Sequence, residues 1–268
     1  MLQSQLAKAE RFRALHEDGV FLLPNPWDAG SAKVLAALGF PALATTSSGF
    51  AFTLGRPDGG ATLDEVVAHT RTLDQATDLP LTVDLENGYG AKPEDAALAV
   101  TRVAGAGAVG ASIEDWDPDG HIYPVSLAAE RVAAAVEAKR RLGFPFTLTA
   151  RAENHIRGNP DLDDTIARLL AYQEAGADVL YAPGLATVDE IRAVCQAVSR
   201  PVNVLARPHL TVAQIAEAGA RRISVGGALA WTAVDALVKA AERIRDHGDL
   251  SVLAALPQPA RFEPDGQP

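Results

Sequence analysis

The chain has 268 residues, 48% of them hydrophobic and 22% charged, with a formal net charge of -10 and a pI of about 5.1. Such a length and apolar content supply one sizeable core, and (β/α)8 barrels commonly run near this length as one domain. The acidic balance, with no Lys/Arg-rich run to offset it, repels phosphate backbones and speaks against nucleic acid as a partner.

The single cysteine, Cys195, has no partner for an internal disulfide or a Cys-based zinc site, which fits a reducing compartment. The N-terminal stretch MLQSQLAKAERFRALHEDG alternates charged and apolar residues at helical spacing and lacks the uninterrupted apolar core of a signal peptide. No apolar run approaches bilayer-spanning length. The expectation is a soluble, cytoplasmic protein with no membrane partner.

Behind that leading helix, short aliphatic or β-branched runs recur, each followed by a loop and an alanine-rich amphipathic stretch, the pattern of repeated βα units. Strands are expected at residues 20–24, 42–45, 81–84, 111–114, 146–150, 179–182, 202–205 and 222–225. Helix starts are read at Asp28, Thr62, Lys92-Pro93 and Ser126, and Gly19, Gly39, Gly143, Gly176 and Gly219 close helices. The fold class is therefore α/β, a (β/α)8 TIM barrel over residues 1–248 with an N-terminal helix and a C-terminal helical extension. A Pro-containing polar tail over 249–268 is expected to be poorly ordered or docked on a partner. An open doubly wound sheet usually carries a glycine-rich turn after its first strand, where this chain reads PNPWDAGSA.

Barrel enzymes keep their active sites at the carboxyl ends of the strands. Here the third strand ends in VDLENGYG, so alternation aims Asp84 and Glu86 toward one mouth, and the fourth ends in GASIEDWD, adding Glu114. Converging carboxylates repel one another unless a cation lies among them, and hard oxygen ligands suit Mg2+ or Mn2+. The fifth strand ends in TARAEN, which puts the fork of Arg151 at the same mouth, shaped for a carboxylate. A metal facing an arginine stabilises the charge left when a bond beside a carbonyl breaks to give an enolate. Asp115 is read as a solvated loop residue or helix cap, Asp58 as a turn former or site residue, and VGGAL after the eighth strand as packing. TTSSG after the second strand is a polar turn or a cradle for a carboxylate.

At these residues the chain resembles the isocitrate lyase and phosphoenolpyruvate mutase superfamily. The segments that carry the resemblance are NPWDAGSAKVLAALGFPALATTSSG, LGRPDG, LPLTVDLENGYG, GASIEDW, TLTARAEN and EAGADVLYAPG, in the family's order and approximate spacing. The resemblance implies Asp84, Glu86 and Glu114 as metal-site acids for Mg2+ (or Mn2+), and Arg151, Glu114 and Asp58 as the catalytic set. It implies substrate binding by Thr46, Ser47, Ser48, Arg151 and Asn203, and a homo-oligomer, tetramer or dimer, often with an exchanged C-terminal helix. Trp27 is read as packing.

The loop after the fourth strand departs from the family. The lyase branch carries a KKCGH-like or KRCGH-like sequence there, with a proton-transfer cysteine, and the mutase branch a lysine and an asparagine; this chain has WDPDGHIYPV, with His121. Where the lyase branch tends to end its sixth strand in a glutamate, this chain reads Ala182-Pro183-Gly184. Cys195, on an outer helix, does not replace the missing acid. The reading is an Mg2+-dependent lyase that cleaves a carbon-carbon bond of a small 2-oxo or 2-hydroxy carboxylate. The alternatives are a carbon-phosphorus mutase or hydrolase acting on phosphoenolpyruvate or phosphonopyruvate, and a metal-binding barrel without turnover. A Schiff-base aldolase is disfavoured, because none of Lys8, Lys33, Lys92, Lys139 or Lys239 falls at a strand's carboxyl end.

Overall fold

The structure, a computed structural model, describes residues 2–254. Its strands are β1 (Phe21–Leu23), β2 (Leu43–Ala44), β3 (Leu81–Asp84), β4 (Gly110–Glu114), β5 (Trp116–Asp117), β6 (His121–Ile122), β7 (Thr147–Arg151), β8 (Val179–Tyr181), β9 (Val202–Leu205) and β10 (Arg222–Ser224). Eight of them form one parallel sheet in the order β1-β10-β9-β8-β7-β4-β3-β2, and β5 and β6 make a separate antiparallel hairpin. At the seam the amide of Ala44 donates to the carbonyl of Pro24 at 3.0 Å. Asn25 Nδ2 adds a bond to the carbonyl of Thr45 at 2.8 Å, so the sheet closes into the expected barrel.

Helices Ala29–Ala37, Leu63–Ala76, Pro93–Ala104, Val125–Arg140, Leu162–Glu174, Val188–Ala197, Val212–Glu217 and Ala228–His247 surround it, behind the leading helix Leu2–Ala14. Three start signals act as read, with Lys92 in the capping position before a helix that opens at Pro93. Asp28 accepts the amide of Ser31, and Thr62 accepts that of Glu65, whose carboxylate returns a bond to the Thr62 amide. Ser126 is not a cap: its helix already begins at Val125, with Pro124 in the capping position and no side-chain bond to the first turn, so Ser126 falls inside the helix. The hairpin β5–β6, a short helix Ser47–Thr53 that begins in TTSSG and a 3-10 turn Asn154–Arg157 were not expected. The strand expected at 146–150 runs one residue further on, which places Arg151 inside the ladder, paired with Glu114. The last helix stops at Gly248 (φ 62°), and Asp249 caps a single 3-10 turn over Leu250–Leu253. Residues 255–268 of the expected tail lie outside the described residues. No helix of the described residues is long and apolar enough to cross a membrane.

Strand alternation sends Val83, Leu148, Leu180, Val204 and Ile223 outward into one apolar layer beneath the helices. The opposite set, Asp84, Arg151, Tyr181, Asn203 and Ser224, faces the barrel interior, which is therefore polar. At the amino ends of the strands the leading helix plugs the barrel, with Phe12 edge-on to the buried His16 at 4.9 Å between ring centres.

Burial, and then the nearby Arg222, bring the pKa of His16 down to about 3. Burial brings that of His69, stacked on Phe50 at 3.9 Å, to about 4. Both folded values lie below the ordinary 6.5, so the unfolded chain binds protons that the fold refuses. This contribution to stability is complete above about pH 6.5 and is lost as pH falls toward about 4. Denaturant unfolding at about pH 7 and pH 5 should show a drop on the order of 2 kcal/mol per histidine. His69→Phe should lose its share of that drop, and an identical drop in the variant would refute the assignment.

Candidate active site

Strands β7, β4 and β3 are neighbours, with Arg151 opposite Glu114 and Asp84 opposite Ser112, so three sequence-selected residues meet at one carboxyl end. Arg151 Nη1 lies 3.1 Å from Glu114 Oε2 and 3.9 Å from Asp84 Oδ1. Its Nε donates to Glu153, and its guanidinium carbon stands 5.4 Å from the centre of the Tyr181 ring. Glu153 is fully buried and also accepts from Arg157 Nε at 3.0 Å. Arg157 in turn lies over Trp116 of the hairpin, 4.4 Å from the ring centre, with Nη2 3.8 Å from Glu114 Oε1. Two arginines thus share two glutamates. Sequence reading found Arg151 and Glu114 but missed Glu153, although it is the acid of TARAEN. It also missed Arg157, for which no local signal exists.

Asp115 is neither a solvated loop residue nor a cap. It is 2% exposed: Oδ1 accepts the amide of Glu153 at 2.8 Å, and Oδ2 accepts Arg168 Nη1 at 3.0 Å and the Tyr172 hydroxyl. The physical reason is the hairpin, which turns the chain after Glu114 and leaves Asp115 facing helix Leu162–Glu174. Asp115 therefore holds the backbone of the residue that grips Arg151.

Two cavities share Arg151. An inner one of ≈ 70 Å3 lies within the barrel mouth and is lined by Thr46, Asp84, Tyr181 and Asn203 among others. An outer one of ≈ 320 Å3 is lined by Ser47, Asp58, Glu86, Glu114, Trp116 and Arg157. Asp84 and Glu86, expected to aim at one mouth together, are divided between them. Glu86 lies beyond β3 with φ 49°, a left-handed conformation uncommon outside glycine, which turns its carboxyl outward. Its Oε1 accepts the Tyr89 hydroxyl at 3.0 Å. Ser48 lines neither cavity and accepts Trp231 Nε1 at 3.0 Å. Asn203 donates to Ser224 Oγ and accepts from Arg222. The amides of Val225 and Gly226 both go to Asn25 Oδ1, at 3.0 and 2.9 Å, which fits the packing reading of VGGAL. His121 is exposed on the hairpin, and burial pushes the Cys195 thiol up to about 11. None of the five lysines lines either cavity. A larger cavity of ≈ 450 Å3 lies at the opposite, amino ends of the strands, away from these acids.

Burial, reinforced by Asp84 and Asp58, pushes the Glu86 carboxyl up to about 7. Burial also drives Glu114 well above the usual carboxylate range, against the pull of Arg151. Arg151 keeps its charge, since Glu114 and Glu153 outweigh the cost of its burial. The side holding Glu86 and Asp58 is therefore short of positive charge. Among the described residues no three acidic, histidine or cysteine side chains form a ready cation cage. Mg2+ needs none, because it takes one or two protein carboxylates and keeps its waters. The all-oxygen donor set on the outer cavity fits a hard divalent cation.

A family model described as phosphoenolpyruvate phosphomutase matches residues 12–245. The chain is 31% identical over 206 residues to 2-methylisocitrate lyase of Halalkalibacterium halodurans, covering 75% of this chain and 68% of that protein. It superposes with a TM-score of 0.95 on the crystal structure of a candidate lyase/mutase from Burkholderia cenocepacia, at 48% identity and 99% coverage of both chains. Phosphonopyruvate hydrolase in complex with oxalate and Mg2+ matches with a TM-score of 0.84 at 26% identity, over 94% of this chain and 92% of that one.

Asp115→Ala should cost about 2 to 4 kcal/mol, because it leaves the Glu153 amide and the Tyr172 hydroxyl buried without their acceptor and leaves Arg168 with only Asp164 and the Tyr123 carbonyl. The readout is a lower denaturant midpoint at unchanged slope. A loss below about 1 kcal/mol would remove Asp115 from its anchoring role.

Proposed function

The chain belongs to the phosphoenolpyruvate phosphomutase family, within the isocitrate lyase/PEP mutase superfamily, and we propose that it is an Mg2+-dependent lyase cleaving a carbon-carbon bond of a small 2-oxo or 2-hydroxy carboxylate to leave an enolate. The observation that supports this most is the guanidinium of Arg151, held by Glu153, Glu114 and Asp84 and lining both cavities.

In this reading Glu86, Glu114 and Asp84 hold Mg2+ directly or through water, with Asp58 beside them. When bound, the ion polarises a substrate oxygen and offsets negative charge. Thr46 and Ser47 receive the substrate carboxylate, and Asn203 a polar group deeper in the barrel. As the carbon-carbon bond breaks, its electron pair passes to the carbon beside a carboxyl or carbonyl group, and Arg151 faces the oxygen on which that charge collects. A fixed donor is worth most there, because Glu153 has already oriented the guanidinium and no reorganisation is needed during the reaction. The same proposal takes the chain as a homo-oligomer. Its last helix and the turn that follows leave Trp231, Leu237, Val238 and Leu250 exposed, an apolar face of the kind that subunits cover.

The carbon-phosphorus reading draws on the family description and on the phosphonopyruvate hydrolase match. A panel of 2-methylisocitrate, isocitrate, oxaloacetate, 2,3-dimethylmalate and phosphonopyruvate, supplied with Mg2+, separates the two. Pyruvate, glyoxylate or oxalate without phosphate supports the lyase, and phosphate release or phosphoenolpyruvate formed from phosphonopyruvate supports the alternative. Turnover of none of them, with Mg2+ still bound, leaves the barrel without turnover. Arg151→Ala should stay folded by circular dichroism, since Glu114 can take up a proton, and should lose about 10²–10³-fold in kcat. Chelator and Glu114→Gln should each abolish turnover, and full activity in either case would end the proposal.

A further inference from the structure

Between β3 and helix Pro93–Ala104 the chain runs through residues 85–92, which carry Glu86 to the edge of the outer cavity. Glu86 (φ 49°), Gly88 (φ 85°) and Tyr89 (φ 63°) place three left-handed residues within four positions, and two of them bear side chains that disfavour it. Such a turn keeps its shape only where its surroundings hold it. Local bonds do part of this. The Tyr89 amide donates to Asn87 Oδ1 at 2.9 Å, and Asn87 Nδ2 donates to the Tyr123 hydroxyl at 3.2 Å.

A further tie comes from helix Val125–Arg140. Arg131 is 2% exposed; its Nη1 donates to the carbonyl of Lys92 at 2.9 Å and its Nη2 to that of Asn87, so one guanidinium grips both ends of the turn. Its guanidinium carbon stands 4.8 Å from the centre of the ring of Tyr123, whose hydroxyl receives Asn87. A Cβ on Gly88 would come within 3.0 Å of Ala96 Cα and 3.4 Å of Arg131 Nη2, so the turn lies tight against both. Among the described residues no carboxylate forms a salt bridge with Arg131, whereas Arg151 has Asp84, Glu114 and Glu153, and Arg168 has Asp115 and Asp164. Stability alone gives little reason for such a cation, because an apolar side chain of similar volume would fill the space without stripping a charge of its water. What the guanidinium adds is geometry: a planar fork with donors in set positions fixes its two acceptors relative to one another.

We propose that Arg131 is a positioning residue of the cation site, which holds the turn over 87–92 from behind and thereby keeps the Glu86 carboxyl on the outer cavity. The assignment rests on the reading of Glu86 as a ligand of Mg2+. Arg131 does not line the outer cavity, so it acts through the turn and touches neither the ion nor the substrate. On the strand side the backbone of Glu86 is fixed by its carbonyl, which accepts the Glu114 amide at 2.8 Å. On the other side the next residue is Asn87, and Arg131 supplies the fixed point there. The Tyr89 hydroxyl that bonds Glu86 Oε1 belongs to the same turn and depends on the same hold.

Mn2+ is the probe, because the electron paramagnetic resonance signal of the free ion reports binding without turnover. Arg131→Met, checked for folding by circular dichroism, should bind Mn2+ about 10-fold more weakly than the natural protein. Glu86→Gln should lose at least as much. In the Glu86→Gln background Arg131→Met should weaken binding by less than about 2-fold more, because the carboxyl that it positions is already gone. Arg131→Lys, which reaches one of the two carbonyls, should fall between the natural protein and Arg131→Met, and it is carried through both backgrounds in place of Arg131→Met if that variant does not fold. Unchanged Mn2+ affinity in the folded variant overturns the assignment. An equal loss in both backgrounds marks a general structural role and also overturns it. Failure of the underlying reading shows separately: Glu86→Gln binding Mn2+ as tightly as the natural protein removes Glu86 from the cation site, and the assignment with it.

Discussion

A guanidinium that loses its water needs carboxylates in fixed places, and the contact between Arg151 and Glu153 is where this protein meets that need. Glu153 is itself fully buried and is placed through its backbone amide by Asp115, which helix Leu162–Glu174 anchors through Arg168 and Tyr172. The position of the Arg151 guanidinium thus depends on a chain of buried polar bonds running from the outer helix layer to the barrel mouth. Each member is satisfied by the next, and for that reason the network can be buried at all.

The same network explains how the hairpin departs from the family's loop. Where the lyase branch of the resembled superfamily has a proton-transfer cysteine and the mutase branch a lysine and an asparagine, β5 presents Trp116, whose ring lies against Arg157. Arg157 shares Glu153 with Arg151 and borders the outer cavity. The segment thus contributes a ring that supports a second cation.

Charge is distributed unevenly along the barrel axis. At the mouth carboxylates outnumber cations, and burial raises the pKa values of Glu86 and Glu114. Deeper inside, Arg222 is surrounded by neutral acceptors. A cation at the outer cavity would relieve the first imbalance. Arg222 lies on an inward position of a strand whose outward positions build the apolar layer, whereas Glu86 and Asp58 lie on loops beyond the strands.

The eight βα alternations, the caps at Asp28 and Thr62 and the gathering of Asp84, Glu114 and Arg151 were legible in the chain, because strand periodicity and capping depend on residues close in sequence. The division of Asp84 and Glu86 between two cavities was not, because it turns on one left-handed residue past the strand end. Asp115 looked like a loop acid, and Glu153, Arg157 and Arg222 did not stand out. Whether a charged side chain is solvated, paired or buried without a counter-charge depends on neighbours such as Arg168, 53 positions along the chain, or His16, 206 positions away from Arg222. Local sequence selects which residues reach the mouth of the barrel; only closure of the barrel decides which charges face one another there, because electrostatic partnership is a matter of distance in space.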